Sequence, residues 1–331
     1  MKVGMRAHTD LQISSKFSQR NHATVMTADC IRQLRKLPAG LVNVIISSPP
    51  YNVGKEYEKN WSVDEYIDFM KIALTECVRV LSDGGSLCWQ VGSTFHRNGA
   101  LVLIDKLVDN IMDDLAKDHD LRLQNRIIWH FGHGLHASNR FSGRYETILW
   151  YTKGRNYTFN LDAVRVPQKY PGKKAYKGPK AGDYSGNPLG KNPSDLWLSS
   201  VSDVWDIPNV KNNHVEKLGH PCQFPIDLVA RLILALSNPN DIVLDPFGGV
   251  GTTAAAAVHL GRRAISIDLH ATYSLLARAR IKQAWNGTLP FRPSATPMPP
   301  PTSSNLTVLP ESFVRARKRT VIAPTEHCDT A

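Results

Sequence analysis

The chain has 331 residues, 42% of them apolar, and carries 40 basic against 29 acidic side chains, a net charge of +11. That size and apolar fraction suit one large or two modest globular units with a real core. No apolar run approaches the roughly 20 residues of a membrane span. The opening Met1-Lys2-Val3-Gly4-Met5-Arg6 lacks the apolar stretch of a signal peptide. Cys30, Cys77, Cys88, Cys222 and Cys328 show no Cys-x-x-Cys spacing, which argues against a disulfide framework and a zinc site. A cytoplasmic protein without membrane or metal partners is the expectation. The basic excess suits a polyanionic partner, although a basic enzyme with no such partner satisfies the charge equally well.

Residues 1–22 are polar and without a clear period. From Ala23 onward strand and helix patterns alternate, as in an α/β sheet. Strands are expected at 23–27, 42–47, 86–91, 125–131 and 146–152. The spacing of Ile67, Met70, Leu74, Val78 and Leu81 predicts a helix over 63–82. Ser62 and Glu65 form its capping box, and Asp83-Gly84-Gly85 is read as its end. A second helix is expected over 99–117. From about 153 to 215 the pattern dissolves into Gly, Pro, Lys, Asn and Tyr, too long for an ordinary connection. Order resumes at Pro225, a residue suited to a first helical turn, with Ile226, Val229, Ile233 and Leu236 on one stripe. A strand at 242–244, a helix from about 251, a strand at 264–267 and a helix at 272–285 follow. Beyond Asn286 the chain is Pro-rich and basic, the composition of an extended or disordered tail.

Two short segments stand out. Ser48-Pro49-Pro50-Tyr51 follows the apolar run 42–47. About 200 residues later, Asp245-Pro246-Phe247-Gly248-Gly249-Val250-Gly251-Thr252-Thr253 follows the run 242–244. A glycine-rich turn between strand and helix lets a ligand approach the backbone and meet free N–H groups. Asp268 closes the next strand pattern, 17 residues after Gly251, where an acidic side chain can accept from ribose hydroxyls, near the roughly 20 residues of dinucleotide folds. An NAD-dependent dehydrogenase shares this much. It requires a third glycine, however, and position 254 is Ala. The plain alternatives are a strand-ending turn for 48–51 and a surface aspartate for Asp268.

Taken together, these segments resemble the DNA amino-methyltransferases. The stretch His220 to Ile281, with Gln223-Phe224-Pro225, the Asp245-to-Thr253 loop, Asp268, Tyr273 and Arg280, looks like their S-adenosylmethionine (SAM) half; Val250 departs from the family's usual serine. The resemblance spans roughly residues 23–285 and matches only loosely over 160–215. It implies a Rossmann-like fold, mostly parallel with an antiparallel hairpin, in circularly permuted order with the catalytic half first, the arrangement called β. It implies SAM as cofactor. Asp245, Phe247, Gly249, Gly251 and Thr252 would line its methionine end and Asp268 its ribose. Gln223, Phe224 and Pro225 would close over it, and Asp29 would sit near its adenine. Cys222 precedes the cofactor half rather than following a catalytic strand, and is read as structural.

Chemistry supports Ser48, Pro49, Pro50 and Tyr51 as the catalytic loop. The exocyclic amine of cytosine or adenine is a poor nucleophile because its lone pair is delocalised. Acceptors on its hydrogens, Ser48 Oγ and the Pro49 carbonyl, would bend it toward tetrahedral geometry. The prolines stiffen the loop, and Tyr51 would stack on a base extruded from the duplex. The pattern Phe141…Glu146-Thr147-Ile148-Leu149-Trp150-Tyr151 resembles a family hairpin beside the target-base pocket.

The implied organisation is a polar segment 1–22, a catalytic half 23–159, a target-recognition region 160–215, a SAM half 216–285 and a tail 286–331. Between Ala163 and Lys191 lie seven basic residues, among them Lys169, Lys173, Lys174, Lys177 and Lys180, against one acidic residue. Tyr170, Tyr176 and Tyr184 are interleaved, so double-stranded DNA is the expected partner; a solvated loop is the alternative. The resemblance implies methylation of cytosine N4 or adenine N6, with Ser48 leaning toward cytosine, in a restriction-modification pair with a cognate endonuclease or as an orphan or phage methylase. The alternative from another class is a non-catalytic DNA-binding protein on a retired methyltransferase fold.

Overall fold

The computed structural model describes residues 10–51, 61–95, 100–131, 136–168, 170, 172–187, 189–194, 196–197, 207–210, 214–220, 222–223 and 225–292. Phe224, Lys169 and the tail beyond residue 292 lie outside the described residues. In chain order the elements are β1 (Ile13–Ser14), β2 (Ala23–Thr27), α1 (Cys30–Leu34), β3 (Val42–Ser47), α2 (Val63–Val80), β4 (Leu81–Val91), β5 (Ser93–Phe95), β6 (Leu101–Leu103), α3 (Ile104–Ala116), β7 (Leu121–His130), β8 (Tyr145–Lys153), β9 (Leu196–Trp197), α4 (Ile226–Leu236), β10 (Ile242–Asp245), α5 (Thr252–His259), β11 (Arg263–Asp268) and α6 (Ala271–Trp285).

One nine-stranded sheet carries the fold, in the order β1-β2-β11-β10-β3-β4-β8-β7-β9. Every pairing from β1 to β4 is parallel, and β8 alone runs against its neighbours. The central strands read as nearly continuous apolar runs because both of their faces are buried. Their period of two divides the core. Val44, Ile46, Val243, Ala264 and Cys88 face α4, α5 and α6. Ile45, Leu244, Ile265, Leu87 and Trp89 face α1, α2 and α3.

The order of β10 and β3 positions the site. β10 leads through α5 to β11 on one side, and β3 leads through α2 to β4 on the other. Their parallel C-terminal ends therefore part in opposite directions, which opens the crevice where α/β sheets bind ligands. The segments 48–51 and 246–251 leave these two adjacent ends.

Three expectations change. The helix over 63–82 stops at Val80, because Leu81 is already extended and pairs with Val42. Asp83-Gly84-Gly85 instead forms a bulge, after which Ser86 resumes pairing with Val44. Gly84 has φ +74°, and a Cβ there would collide with the Asn156 carbonyl oxygen, so only glycine fits. The helix over 99–117 begins at Ile104, since Leu101–Leu103 pairs with Ser93–Phe95 as a small second ladder. Within 160–215 the chain has more order than its composition suggests. Val166 bridges Lys191, and Lys174 bridges Tyr184. The Ser62–Glu65 capping box forms as read, with Ser62 N donating to Glu65 Oε2 at 2.8 Å and Glu65 N to Ser62 Oγ at 3.2 Å.

Leu74 of α2 is 0% exposed and belongs to the same buried cluster as Ile45 and Trp89. Leu74→Ala should lower the free energy of unfolding by about 2–5 kcal/mol, read by urea denaturation. A loss under about 0.5 kcal/mol would contradict this packing.

Candidate active site

The two loops are joined by one buried carboxylate. Asp245 ends β10 and is 2% exposed. Its Oδ1 accepts from Ser47 Oγ at the end of β3, at 2.7 Å, and from Phe247 N at 3.1 Å. Its Oδ2 accepts from Thr253 Oγ1 at 2.8 Å. Strand ends 198 residues apart in sequence are thereby held in register. Burial pushes the Asp245 carboxyl up to about 6, against these three hydrogen bonds.

The glycine loop is held from several sides. Gly249 N donates to Asp268 Oδ2 at 2.9 Å, and His270 N to Asp268 Oδ1 at 2.8 Å. Gly251 has φ +75°, and a Cβ there would lie 2.5 Å from Ala277 Cβ of α6, so the turn and the close helix contact both require glycine. Gly251 also caps α5 without a side-chain bond, so the first N–H groups of that helix face the loop. Arg280, buried in α6, donates to the Val250 carbonyl at 3.2 Å and to Thr252 Oγ1 at 2.9 Å. It lies 3.8 Å from Glu216, which caps α4 by accepting from Ile226 N at 2.9 Å. Burial raises the Glu216 carboxyl in spite of that guanidinium.

The other residues expected at the cofactor are distributed as follows. Asp29 leaves β2 next to β11, and its side chain caps α1 by accepting from Arg32 N at 2.8 Å. The Gln223 amide is used internally, accepting from Leu218 N at 3.2 Å and donating to the Glu216 carbonyl at 2.7 Å. Pro225 is the residue before α4. Phe247 packs edge-on to Trp89 and Phe69, with ring centroids 5.9 Å away in each case. Cys222 is exposed, its N–H donating to His220 Nδ1 at 3.2 Å, and the His220 ring packs on Tyr273 at 4.7 Å.

The loop after β3 is equally fixed. The Pro50 carbonyl accepts from Tyr66 Oη of α2 at 2.9 Å. Ser48 Oγ and Tyr51 Oη are 2.9 Å apart. Tyr51 Oη donates to Glu146 Oε2 at 3.2 Å, and Gln90 Nε2 of β4 donates to the same oxygen. One edge of the Tyr51 ring rests on Gly92, where a Cβ would come within 3.1 Å of it. Burial raises the Glu146 carboxyl, and burial together with that carboxylate raises the Tyr51 hydroxyl.

The sheet thus brings the Ser48–Tyr51 loop, the glycine loop and Asp268 to one end, and sets the lysines apart from them. Lys173, Lys174, Lys177 and Lys180 are exposed on a ribbon in which Ala175 N bonds the Asp183 carbonyl at 2.8 Å and Ser185 N the Lys173 carbonyl at 2.8 Å. Tyr170, Tyr176 and Tyr184 are exposed on it as well. Sequence reasoning missed Ser47, Gln90, Tyr66 and Glu216, because each acts through a partner distant in the chain. Glu146 stood in a noted motif, but its contact with Tyr51 had no local signal. Among the described residues no cluster of His, Cys, Asp and Glu could hold a metal ion, and no helix is long and apolar enough to cross a membrane.

Comparison with known proteins gives this arrangement a class. The DNA methylase family profile matches residues 42–279, and the chain belongs to that family, the N6/N4 amino-methyltransferases. It is 41% identical to the type II methyltransferase M.BglII of Bacillus subtilis over 79% of this chain and 69% of that protein. It is 33% identical to the DNA adenine methyltransferase YhdJ of Escherichia coli K12, over 79% and 83%. Its fold matches the PvuII cytosine-N4-specific DNA methyltransferase with a TM-score of 0.59 at 18% identity, covering 81% of this chain and 92% of that one. It also matches a Thermus thermophilus DNA modification methylase, TTHA0409, solved with S-adenosyl-L-methionine, with a TM-score of 0.56 at 22% identity, over 84% and 97%.

The raised Asp245 pKa has a consequence for stability. Its ordinary value is 3.8 and its folded value about 6, so between these the folded chain holds a proton that the unfolded chain releases. This contribution is full below pH about 4 and is lost as pH rises through about 6, by at most about 3 kcal/mol. Asp245→Asn should remove that part of the pH dependence in urea melts between pH 4 and 7. An unchanged slope would show that Asp245 titrates normally.

Proposed function

We propose that this chain transfers a methyl group from SAM to an exocyclic amine of a base in duplex DNA, with cytosine N4 as the target. The observation that carries the reading is the pair of loops at adjacent parallel strand ends, tied by the Ser47–Asp245 bond. The glycine loop and Asp268 suit an adenosyl ligand. Each Asp268 carboxylate oxygen accepts one backbone N–H and keeps a lone pair for a ribose hydroxyl, and the uncapped N-terminus of α5 stands beside it. SAM, when bound, supplies an electrophilic methyl group. Asp245, Phe247, Gly249, Gly251 and Thr252 shape its bed, Asp245 by fixing the loop, and Asp29, Gln223, Phe224 and Pro225 border it.

Ser48 Oγ and the Pro49 carbonyl accept from the amine and direct its lone pair toward that methyl group. The Tyr66–Pro50 bond keeps the carbonyls of the loop in place. The Tyr51 ring offers a stacking face to the extruded base. The ribbon 173–185 and the rest of 160–215 select the DNA site, its lysines neutralising phosphates. Adenine N6 is the second reading, favoured by the name of the Escherichia coli relative. The type II names of the relatives favour a cognate restriction endonuclease.

Sequencing genomic DNA from a host expressing the chain, with detection of modified bases, should reveal N4-methylcytosine at one recognition sequence. N6-methyladenine would reject the cytosine assignment and keep the class; unmodified DNA would favour a binding protein. Ser48→Ala should slow transfer on the order of 100-fold with SAM affinity unchanged. Asp268→Ala should weaken SAM binding by roughly 1–3 kcal/mol in calorimetry without moving the methylated site. Replacing Lys173, Lys174 and Lys177 with alanine should reduce the salt slope of DNA binding by up to about 3 units, for all sequences alike, at about 0.9 per phosphate contact. An unchanged slope would remove the ribbon from the DNA interface.

A further inference from the structure

β8 opens at the rim of the site, and its second residue, Glu146, reaches the catalytic loop from the neighbouring side of the sheet. We propose that Glu146 is the proton acceptor of the methylation reaction, reached from the base amine through Ser48 and Tyr51. This rests on the amine-methylation reading above and adds the fate of the proton.

The polarity of the chain of bonds follows from Glu146. An ionised carboxylate only accepts, so the Tyr51 hydroxyl hydrogen points to Glu146 Oε2 across 3.2 Å. Tyr51 Oη then accepts from Ser48 Oγ across 2.9 Å. With its own hydrogen so engaged, Ser48 Oγ turns lone pairs toward the amine, as an acceptor must. Gln90 holds the carboxylate by donating to Oε2, and Gly92 admits the Tyr51 ring. These contacts come from three separate places in the chain, the loop after β3, the end of β4 and the start of β8.

The reaction requires such an acceptor. When the amine lone pair forms the N–C bond, the nitrogen becomes cationic and one N–H bond must break, its electron pair returning to nitrogen. That proton passes to Ser48 Oγ as the Ser48 proton passes to Tyr51 Oη and the Tyr51 proton to Glu146 Oε2. The base leaves as a neutral N-methyl amine, Ser48 and Tyr51 are restored, and the carboxylate becomes a carboxylic acid. Both bonds to Glu146 fall on Oε2, which leaves Oε1 to return the proton to solvent. Tyr51 stays protonated because burial and the Glu146 charge hold its hydroxyl well above the ordinary range, so it conducts the proton and does not keep it. Burial raises Glu146 against the bonds from Gln90 and Tyr51, which makes it a stronger proton acceptor than an ordinary carboxylate.

The groups around Glu146 are Ser48 and Tyr51, Tyr66 of α2 behind that loop, Gln90 of β4, Trp129 opposite it on β7, and Arg144 and Tyr145 before it in the chain. Only the ionised form accepts a proton. The rate of transfer should therefore rise with pH through the titration of Glu146, above the usual carboxylate range.

The test is single-turnover methyl transfer to duplex DNA by wild type, Glu146→Gln, Glu146→Asp, Tyr51→Phe and the Tyr51→Phe/Glu146→Gln double variant, across pH. Glutamine keeps the acceptor oxygen for Tyr51 but cannot take the proton. The expected result is a loss of roughly 100-fold in Glu146→Gln, with SAM and DNA affinities within about twofold of wild type. The acid limb of the pH profile should vanish in that variant, and aspartate should restore part of the rate. In the double variant the two losses should not multiply, since Tyr51→Phe already cuts the path. A wild-type rate in Glu146→Gln, an acid limb that survives in it, or losses that multiply would each overturn the relay while leaving the methyltransferase reading intact. A wild-type protein that binds both partners and transfers no methyl group would overturn that reading, and the relay with it.

Discussion

The bond between Ser47 and Asp245 sets the geometry of the whole site. β3 and β10 are neighbours in the sheet, and backbone pairing already aligns Val44 with Val243 and Ile45 with Leu244. Backbone pairing ends there, however, and the two strands lead to loops with different tasks. A buried carboxylate that accepts from Ser47, Thr253 and Phe247 N extends the alignment past the last ladder bond. Leaving such a carboxylate without donors would cost about 1–3 kcal/mol or more. The donors and the carboxylate therefore hold one another, and both loops begin from fixed points.

From these points each loop is stiffened by a different device. The glycine loop is shaped by left-handed turns, the close contact of Gly251 with Ala277, and Arg280 behind it. The catalytic loop carries two prolines, and its carbonyls and hydroxyls are tethered to α2 through Tyr66 and to β8 through Glu146. The ribbon around Lys173 to Ser185 is of another kind. It is held by a few backbone bonds, exposes its tyrosines, and has little core of its own. The division is physically sensible, because base chemistry requires rigid groups while adaptation to a duplex requires a surface that can adjust.

Much of this was legible in the sequence for a definite reason. Strands buried on both faces and a helix with an apolar stripe are local patterns, so β2, β3, α2 and α6 were read within a residue or two of their observed ends. Short motifs also carry their own chemistry, and Ser48-Pro49-Pro50-Tyr51 and the glycine loop could be recognised without a fold. The misreading at Asp83-Gly84-Gly85 has an equally local cause. Glycine with positive φ serves a helix end and a strand bulge alike, and the choice is made by the Val42–Leu81 pairing. The strand 101–103 was absorbed into a helix because three apolar residues fit either period. What no local pattern could give was the set of partners: Ser47 for Asp245, Glu146 for Tyr51, Tyr66 for Pro50. Each joins parts of the chain that only the sheet order brings together.

The most direct test of the account is to incubate the full chain with methyl-tritiated SAM and a DNA duplex containing its recognition sequence, digest the DNA to nucleosides and locate the label. The account predicts label on an exocyclic amine, lost when Ser48 or Tyr51 is replaced while SAM remains bound. Label at a ring carbon, or transfer that survives both replacements, would contradict it.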